Sequence, residues 1–357
     1  MFKIIKKSVQ KIFKDIGYKI FLLKYGKINK IKKPEYLKAL TTKKVTFDNS
    51  SKYKIYTLKN SRLYTDRINN LAIIKKNRLI KGPSFQLNGI KNQKIDKNIV
   101  LKIGTPRLKK KLNGSVFSLI TGGAGNSNYW HWIFDVLPRI GIVFKFKNIN
   151  NIDYFLAPDT NQKFQIQSLQ ALGIPTKKIL SSKAYRHVEA NQIIACDHPY
   201  VFKNDPTYEI QRLPLWISNW LKRKYIPLVK KTKKKFPKKF YIDRSDARSN
   251  HSYLRSISNE YEVKEFLQEK GFEKIILSNL DFIDQVKLFN NAEYIVGLHG
   301  AGFANIVFCK KNTNILEMKS LSAGNVIGNL AKKNKLHYRS ISIKTQRSIN
   351  DQHGQIE

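Results

Sequence analysis

Acidic residues are scarce in this chain of 357 residues: 25 Asp and Glu stand against 67 Lys and Arg, a formal charge of +42. Such an imbalance biases a protein toward anionic partners, and nucleic acid, an anionic bilayer and phosphorylated substrates all qualify. Most of the excess is Lys, and Ile and Asn are abundant beside it. An AT-rich genome gives that composition, so charge alone selects no partner. Cysteine is nearly absent. Cys196 and Cys309 lie far apart, form no metal-ligand pattern and read as reduced, packed thiols of a cytoplasmic protein. No apolar run approaches the ~20 residues that span a bilayer. Lysines interrupt the N-terminus and no cleavage site follows, so it does not read as a secretory signal. The chain also lacks Gly-x-x-x-x-Gly-Lys-Ser/Thr, His-Glu-x-x-His, Gly-x-Ser-x-Gly and Asp-x-Asp. Those absences argue against a P-loop, a zinc-protease helix, a nucleophile elbow and the common aspartate pair for a divalent ion.

What is present is enough for real cores: 41% hydrophobic and 11% aromatic residues. The length suits two α/β domains of ordinary size. Residues 1–43 form a basic leader in which Ile5, Val9, Ile12, Ile16, Ile20 and Leu23 recur at helical steps, with Lys3, Lys7, Lys11 and Lys14 between them. Such a helix can lie on an anionic membrane or dock on its own protein. Residues 44–232 read as one domain. It is rich in short strands to about 114, for example Lys44–Phe47 and Leu71–Ile74, and alternates strand and helix signals from Ser115 onward. Asn128–Phe146 is aromatic and helix-like. Residues 230–239, with seven lysines and a proline, read as a solvated linker. A second alternating unit fills 233–345, and 346–357 is a polar tail.

Three segments carry chemistry. In Tyr294–Asn305 a buried strand ends at Gly297, and His299-Gly300-Ala301-Gly302 leads into a helical stretch. Small residues there allow close backbone approach, and free N–H groups at a helix start attract an anion such as a diphosphate. His299 can contact phosphate or sugar, and Asn305 can bond the ligand from the first turn. Arg244 and Arg248 follow the strand Phe240–Ile242 and can clamp the same diphosphate; the alternative is a surface ion-pair turn with Asp243 and Asp246. Glu317, at the end of the next strand, can accept bonds from ribose hydroxyls or be a solvated strand-end charge. On the aromatic helix, Asn128, His131 and Asp135 share a face. His131 or Asp135 can serve as a general base, or the two can form a buried pair that holds the helix.

The ordered set Tyr129–Asp135, Arg244–Arg248, Asn259–Glu262, Phe282–Gln285 and Gly297–Asn305 resembles glycosyltransferase family 61 from about residue 115 to about 345. That group includes bacterial capsular polysaccharide biosynthesis proteins and eukaryotic transferases of xylose and N-acetylglucosamine. The resemblance implies a GT-B-like α/β fold, two Rossmann-like domains facing a cleft, here with a short-stranded β-rich N-terminal extension. It implies an inverting transfer from a nucleotide-sugar, usually a UDP-sugar, with no metal and no cofactor. Donor contacts carry over to Arg244, Arg248, His299, Gly300, Ala301, Gly302 and Asn305. The acceptor side carries over to Asn128 and Trp130, with His131 or Asp135 as base. Phe303 stands where leucine is more usual, an apolar exchange.

The expected function is therefore sugar transfer to a glycan or lipid-linked glycan acceptor in capsular or surface polysaccharide synthesis. The expected location is the cytoplasm or the inner face of the cytoplasmic membrane. Two competing readings are a catalytically inactive sugar-nucleotide scaffold and a basic nucleic-acid binder, the latter prompted by a pI near 10.1. The basic runs are lysine-rich and sit in the leader and the linker, without the arginine- and aromatic-lined surface that nucleic acid needs.

Overall fold

A computed structural model describes residues 2–48, 51–89, 91–122, 125, 127–201, 206–246, 255–344 and 356. By contacts the chain forms two compact units, both discontinuous in sequence. The first holds Met1–Ser127, Asp135–Gln162 and Ile174–Thr207; the second holds Asn128–Phe134, Lys163–Gly173 and Tyr208–Glu357. The units meet in sequence at 207/208, upstream of the lysine run. The reason is the helix Leu215–Tyr225, which buries Trp216, Ile217, Trp220, Leu221 and Tyr225. The Tyr225 ring packs edge-on against Phe282 and Phe308 of the second unit.

The first unit is built on an eleven-stranded mixed sheet. Its parallel part runs through His187–Cys196, Lys110–Ser118, Tyr154–Ala157 and Ile179–Ser181. The β-rich N-terminal segment is continuous with that part. Ser51–Thr65 pairs antiparallel with His187–Cys196 on one edge and with Leu40–Phe47 and Asn70–Lys75 on the other. At 15 residues Ser51–Thr65 is much longer than the short strands expected there. Alternation explains its stability: Tyr53, Ile55, Leu58 and Leu63 are buried in a strand that pairs along both edges.

The aromatic helix is interrupted. Tyr129–His131 is α-helical, Trp132–Val136 is a π-turn and Leu137–Phe144 resumes the α-helix. Pro138 has no N–H to offer the carbonyl four residues earlier, and a wider turn relieves that mismatch.

The second unit is a doubly wound sheet of five parallel strands in the order Glu273–Ile276, Lys239–Asp243, Tyr294–Leu298, Asn314–Ser320, His337–Ile343. Numbered along the chain this is 2-1-3-4-5. The order therefore reverses between Lys239–Asp243 and Tyr294–Leu298, and ligands of such folds sit beyond the carboxyl ends at that switch point. The lysine run does not hang free. Lys234 pairs with buried Asp284 at 2.5 Å, and Lys287 donates to the Thr232 carbonyl at 2.7 Å.

Gly297 is required at the switch point. A Cβ there would lie 3.1 Å from Ile242 and 3.2 Å from the Phe303 ring. Gly297→Ala should cost about 1–3 kcal/mol by overpacking, and Phe303→Leu should recover part of it, so urea unfolding of the double variant should show non-additivity. Additive losses would mean the Phe303 ring does not set the constraint.

Candidate functional site

The carboxyl ends of the first and third strands of the second unit enclose a cavity of about 240 Å³. Ile242, Asp243, Arg244 and Asp246 line it from one strand end, Leu298, Gly300, Ala301, Gly302 and Phe303 from the other. Tyr129 and Phe164 add an aromatic wall, their rings edge to face at 4.9 Å.

Arg244 is placed by the turn before it. The Asp243 carboxylate accepts the Ser245 N–H at 2.8 Å and pairs with Lys264 at 3.2 Å. Burial pushes the Asp243 carboxyl up, but the Ser245 amide and the Lys264 ammonium outweigh it and hold the group below its ordinary range. The Arg244 guanidinium donates to the His299 carbonyl at 2.8 Å and lies along the glycine loop. A Cβ on Gly300 would sit 3.3 Å from its Cζ, and one on Gly302 would sit 2.9 Å from Leu277. The small residues of the loop therefore make room for Arg244 and Leu277 as well as for any ligand. The helical stretch expected over Phe303–Phe308 is a 3₁₀ helix, Ala301–Phe308, with Gly300 at its N-cap.

Behind the loop lies a fully buried carboxylate. Glu317 is 0% exposed. One of its oxygens meets His299 Nδ1 and the other accepts the Tyr338 hydroxyl. This corrects the expectation of a strand-end carboxylate open to ribose hydroxyls: Glu317 holds the His299 ring and has no exposed surface. Asn305 is corrected in the same way. It is 0% exposed, its Oδ1 accepts from Tyr129 Oη at 2.6 Å, and its Nδ2 donates to Gln285 Oε1 at 3.0 Å. Both of its polar ends are used to fix Tyr129 in the cavity wall.

Arg255, which the sequence did not single out, lies within charge range of Arg244 and Glu317. It has a left-handed backbone, φ 72°. Its pKa is lowered to about 10 by burial and by the charge of Arg244, against the opposing charge of Glu317. Burial likewise lowers Arg244. Arg248, the expected second half of the clamp, lies outside the described residues.

Residues 129–316 match the model of the family described as Glycosyltransferase 61, more than half of the chain. The chain belongs to glycosyltransferase family 61. No curated protein sequence matches it. The family 61 match starts at Tyr129 and ends at Leu316. It covers the arginine turn and the glycine loop, and it stops one residue short of Asn128 and of Glu317.

The remaining site residues of this glycosyltransferase divide between the units. In the second, Asn128 is the helix N-cap and its side chain accepts the Trp130 and His131 amides. Trp130 is buried, with its indole N–H unpartnered, and His131 is half-buried. In the first, Asp135 is buried and accepts the Tyr200 hydroxyl at 2.7 Å, with His198 Nε2 3.9 Å from its other oxygen. His198 Nδ1 accepts two backbone N–H groups, from Tyr200 and Val201. That leaves the ring proton on Nε2, facing Asp135. Asp135 thus has a histidine of its own unit, His198, facing it.

Tyr129→Phe should cost about 1–3 kcal/mol by stranding the buried Asn305 carbonyl, and Tyr129→Phe/Asn305→Ala should cost less than the sum of the single changes. A double-mutant cycle by chemical denaturation reads this; an additive result would break the assigned link.

Proposed function

We propose that this family 61 enzyme is an inverting, metal-independent transferase moving a sugar from a UDP-sugar to a glycan acceptor in capsular or surface polysaccharide synthesis. The observation that carries the donor site is the cavity at the switch point, where the glycine loop, Arg244 and an aromatic wall surround one space. The Arg244 guanidinium beside the glycine loop favours an anionic ligand, and the aromatic wall suits the base. The parallel sheets of the two units support a GT-B assignment.

In the proposed reaction the acceptor oxygen attacks the anomeric carbon as the bond to the diphosphate breaks. The electron pair leaves with the nucleotide. Arg244 and the N–H groups at the start of the 3₁₀ helix stabilise the developing charge. The proton of the acceptor hydroxyl passes to His131. The burial of Asp135 and its bond to Tyr200 favour His131 as the base and Asp135 as a positioning group. Glu317 and Asn305 act through His299 and Tyr129.

Arg244→Ala should lower kcat about 10²-fold, the usual scale for one transition-state donor, and remove the rise in melting midpoint that UDP gives the wild type in EDTA. Full activity would sink the clamp. A midpoint insensitive to UDP and UDP-sugars would point to a different donor or to a non-catalytic role.

The location we propose is the inner face of an anionic membrane. The helix Phe2–Tyr25 is fastened at its C-terminal end: Leu22 packs over Gly104, and the Tyr25 hydroxyl accepts the Lys109 amide at 3.0 Å. Above that anchor Val9, Ile12, Phe13, Ile16, Ile20 and Leu23 stay exposed, Phe13 at 70% and Leu23 at 88%. Among the described residues no helix is long and apolar enough to cross a membrane. An exposed apolar stripe flanked by lysines suits the interface of anionic lipid. The protein should float with phosphatidylglycerol vesicles and not with phosphatidylcholine alone, and Phe13→Asp/Ile16→Asp should abolish flotation. Wild-type protein that never floats would remove the membrane from the proposal.

A further inference from the structure

The first unit carries a second built cavity that the donor chemistry does not use. It measures about 350 Å³ and is lined by Ser84, Gln93, Thr121, Arg139, Asp197 and His198 among others, a size and polarity within the range of small-ligand sites. Its lining mixes donors and acceptors. Arg139 is 3% exposed, yet its Nε has no hydrogen-bond partner, and Nη2 reaches only the Ser118 carbonyl at 3.3 Å. A buried cation with an unused N–H in a cavity wall is costly unless a ligand completes it. Opposite in character is Asp197, whose carboxylate accepts the Lys54 amide at 2.7 Å and the Tyr56 hydroxyl at 3.1 Å. It offers lone pairs to hydroxyl groups and repels a bare phosphate.

Gly82 lines this cavity and also an adjoining open groove of about 1040 Å³. The groove is flanked by Lys33, Lys38, Lys44, Lys54 and Lys81, and Glu35 is the one acidic side chain in its lining. Tyr36, 64% exposed, stands among these lysines with Lys32 and Lys33 over its ring. Hydroxyl-directed groups in the cavity and a cationic track outside it ask for different parts of one molecule.

We infer that the first unit binds an anionic glycan, with one sugar ring in the Arg139–Asp197 cavity and its charged chain along the lysine groove. This deepens the transferase reading and rests on it for the name acceptor; the binding itself does not. Carboxylate and phosphate share the required chemistry. A polynucleotide fits less well, because no arginine lines the groove and the cavity presents Asp197 to whatever enters.

The test uses the full-length protein and four labelled probes: an oligogalacturonate, a poly(glycerol phosphate) oligomer, a dextran oligomer and oligouridylate, read by fluorescence anisotropy at low and moderate salt. One or both anionic glycans should bind with salt-sensitive affinity, and whichever is tighter identifies the acceptor charge as carboxylate or phosphate. Lys33→Glu/Lys54→Glu/Lys81→Glu should weaken that binding at least tenfold. The matched reversal Lys230→Glu/Lys231→Glu/Lys235→Glu, on the other basic run, should change it less than twofold. Gln93→Leu should weaken it several-fold, and none of these variants should alter the UDP-dependent melting shift. Dextran binding as tightly as the anionic oligomers, equal losses from the two charge reversals, or tighter binding of oligouridylate would each overturn the inference. Loss of the UDP shift in the wild-type protein with glycan binding intact would instead fault the donor reading alone.

Discussion

Glu317 is the residue on which the cavity of the second unit leans. A carboxylate with no exposed surface is tolerated only when donors surround it. His299 and Tyr338 supply them from the loop after the third strand of the second unit and from its last strand. The His299 N–H is in turn held by the Met318 carbonyl at 2.8 Å, and the His299 carbonyl receives Arg244. One buried charge thus fixes the loop, the loop fixes an arginine, and the arginine faces the cavity. The backbone at His299-Gly300 cannot shift without disturbing each of these contacts.

A second network holds the aromatic wall. Tyr129, Asn305, Gln285 and the Leu277 carbonyl form a chain of hydrogen bonds through the interior. Gln167 reaches the N-terminus of the helix Phe282–Asn291, accepting the Phe282 amide and donating to Asp281. The Trp132 indole donates to Ser168, whose carbonyl takes the Tyr225 hydroxyl. Polar groups at these positions are satisfied by segments distant in sequence, which is why Asn128–Phe134 and Lys163–Gly173 belong to the second unit.

Much of the fold was legible because periodicity reports burial. The strand expected at Phe240–Ile242 is Lys239–Asp243, the strand expected to end at Gly297 is Tyr294–Leu298, and the glycine loop lies where strand gives way to helix. The site was less legible. Asn305 and Glu317 are polar residues beside a loop, and a linear reading places such residues in solvent. Both are fully buried instead, because partners 20 residues or more away in Gln285, Tyr129 and Tyr338 complete them. Arg255 has no local signal either: its left-handed backbone, φ 72°, is not announced by its residue type.

The amino-acid sequence by itself determined the class of the protein, the strand–loop–helix unit at Gly297–Phe308 and the ordered motifs that mark family 61. These are local, since side-chain periodicity and small residues act over a few positions. The tertiary structure decided which polar residues are exposed to a ligand and which are spent on one another. It faced His198 toward Asp135, gave Glu317 to His299, and closed Asn305 behind Tyr129. Hydrogen bonds and charges are satisfied by whatever the fold brings within about 3 Å, and spacing along the chain does not encode that distance.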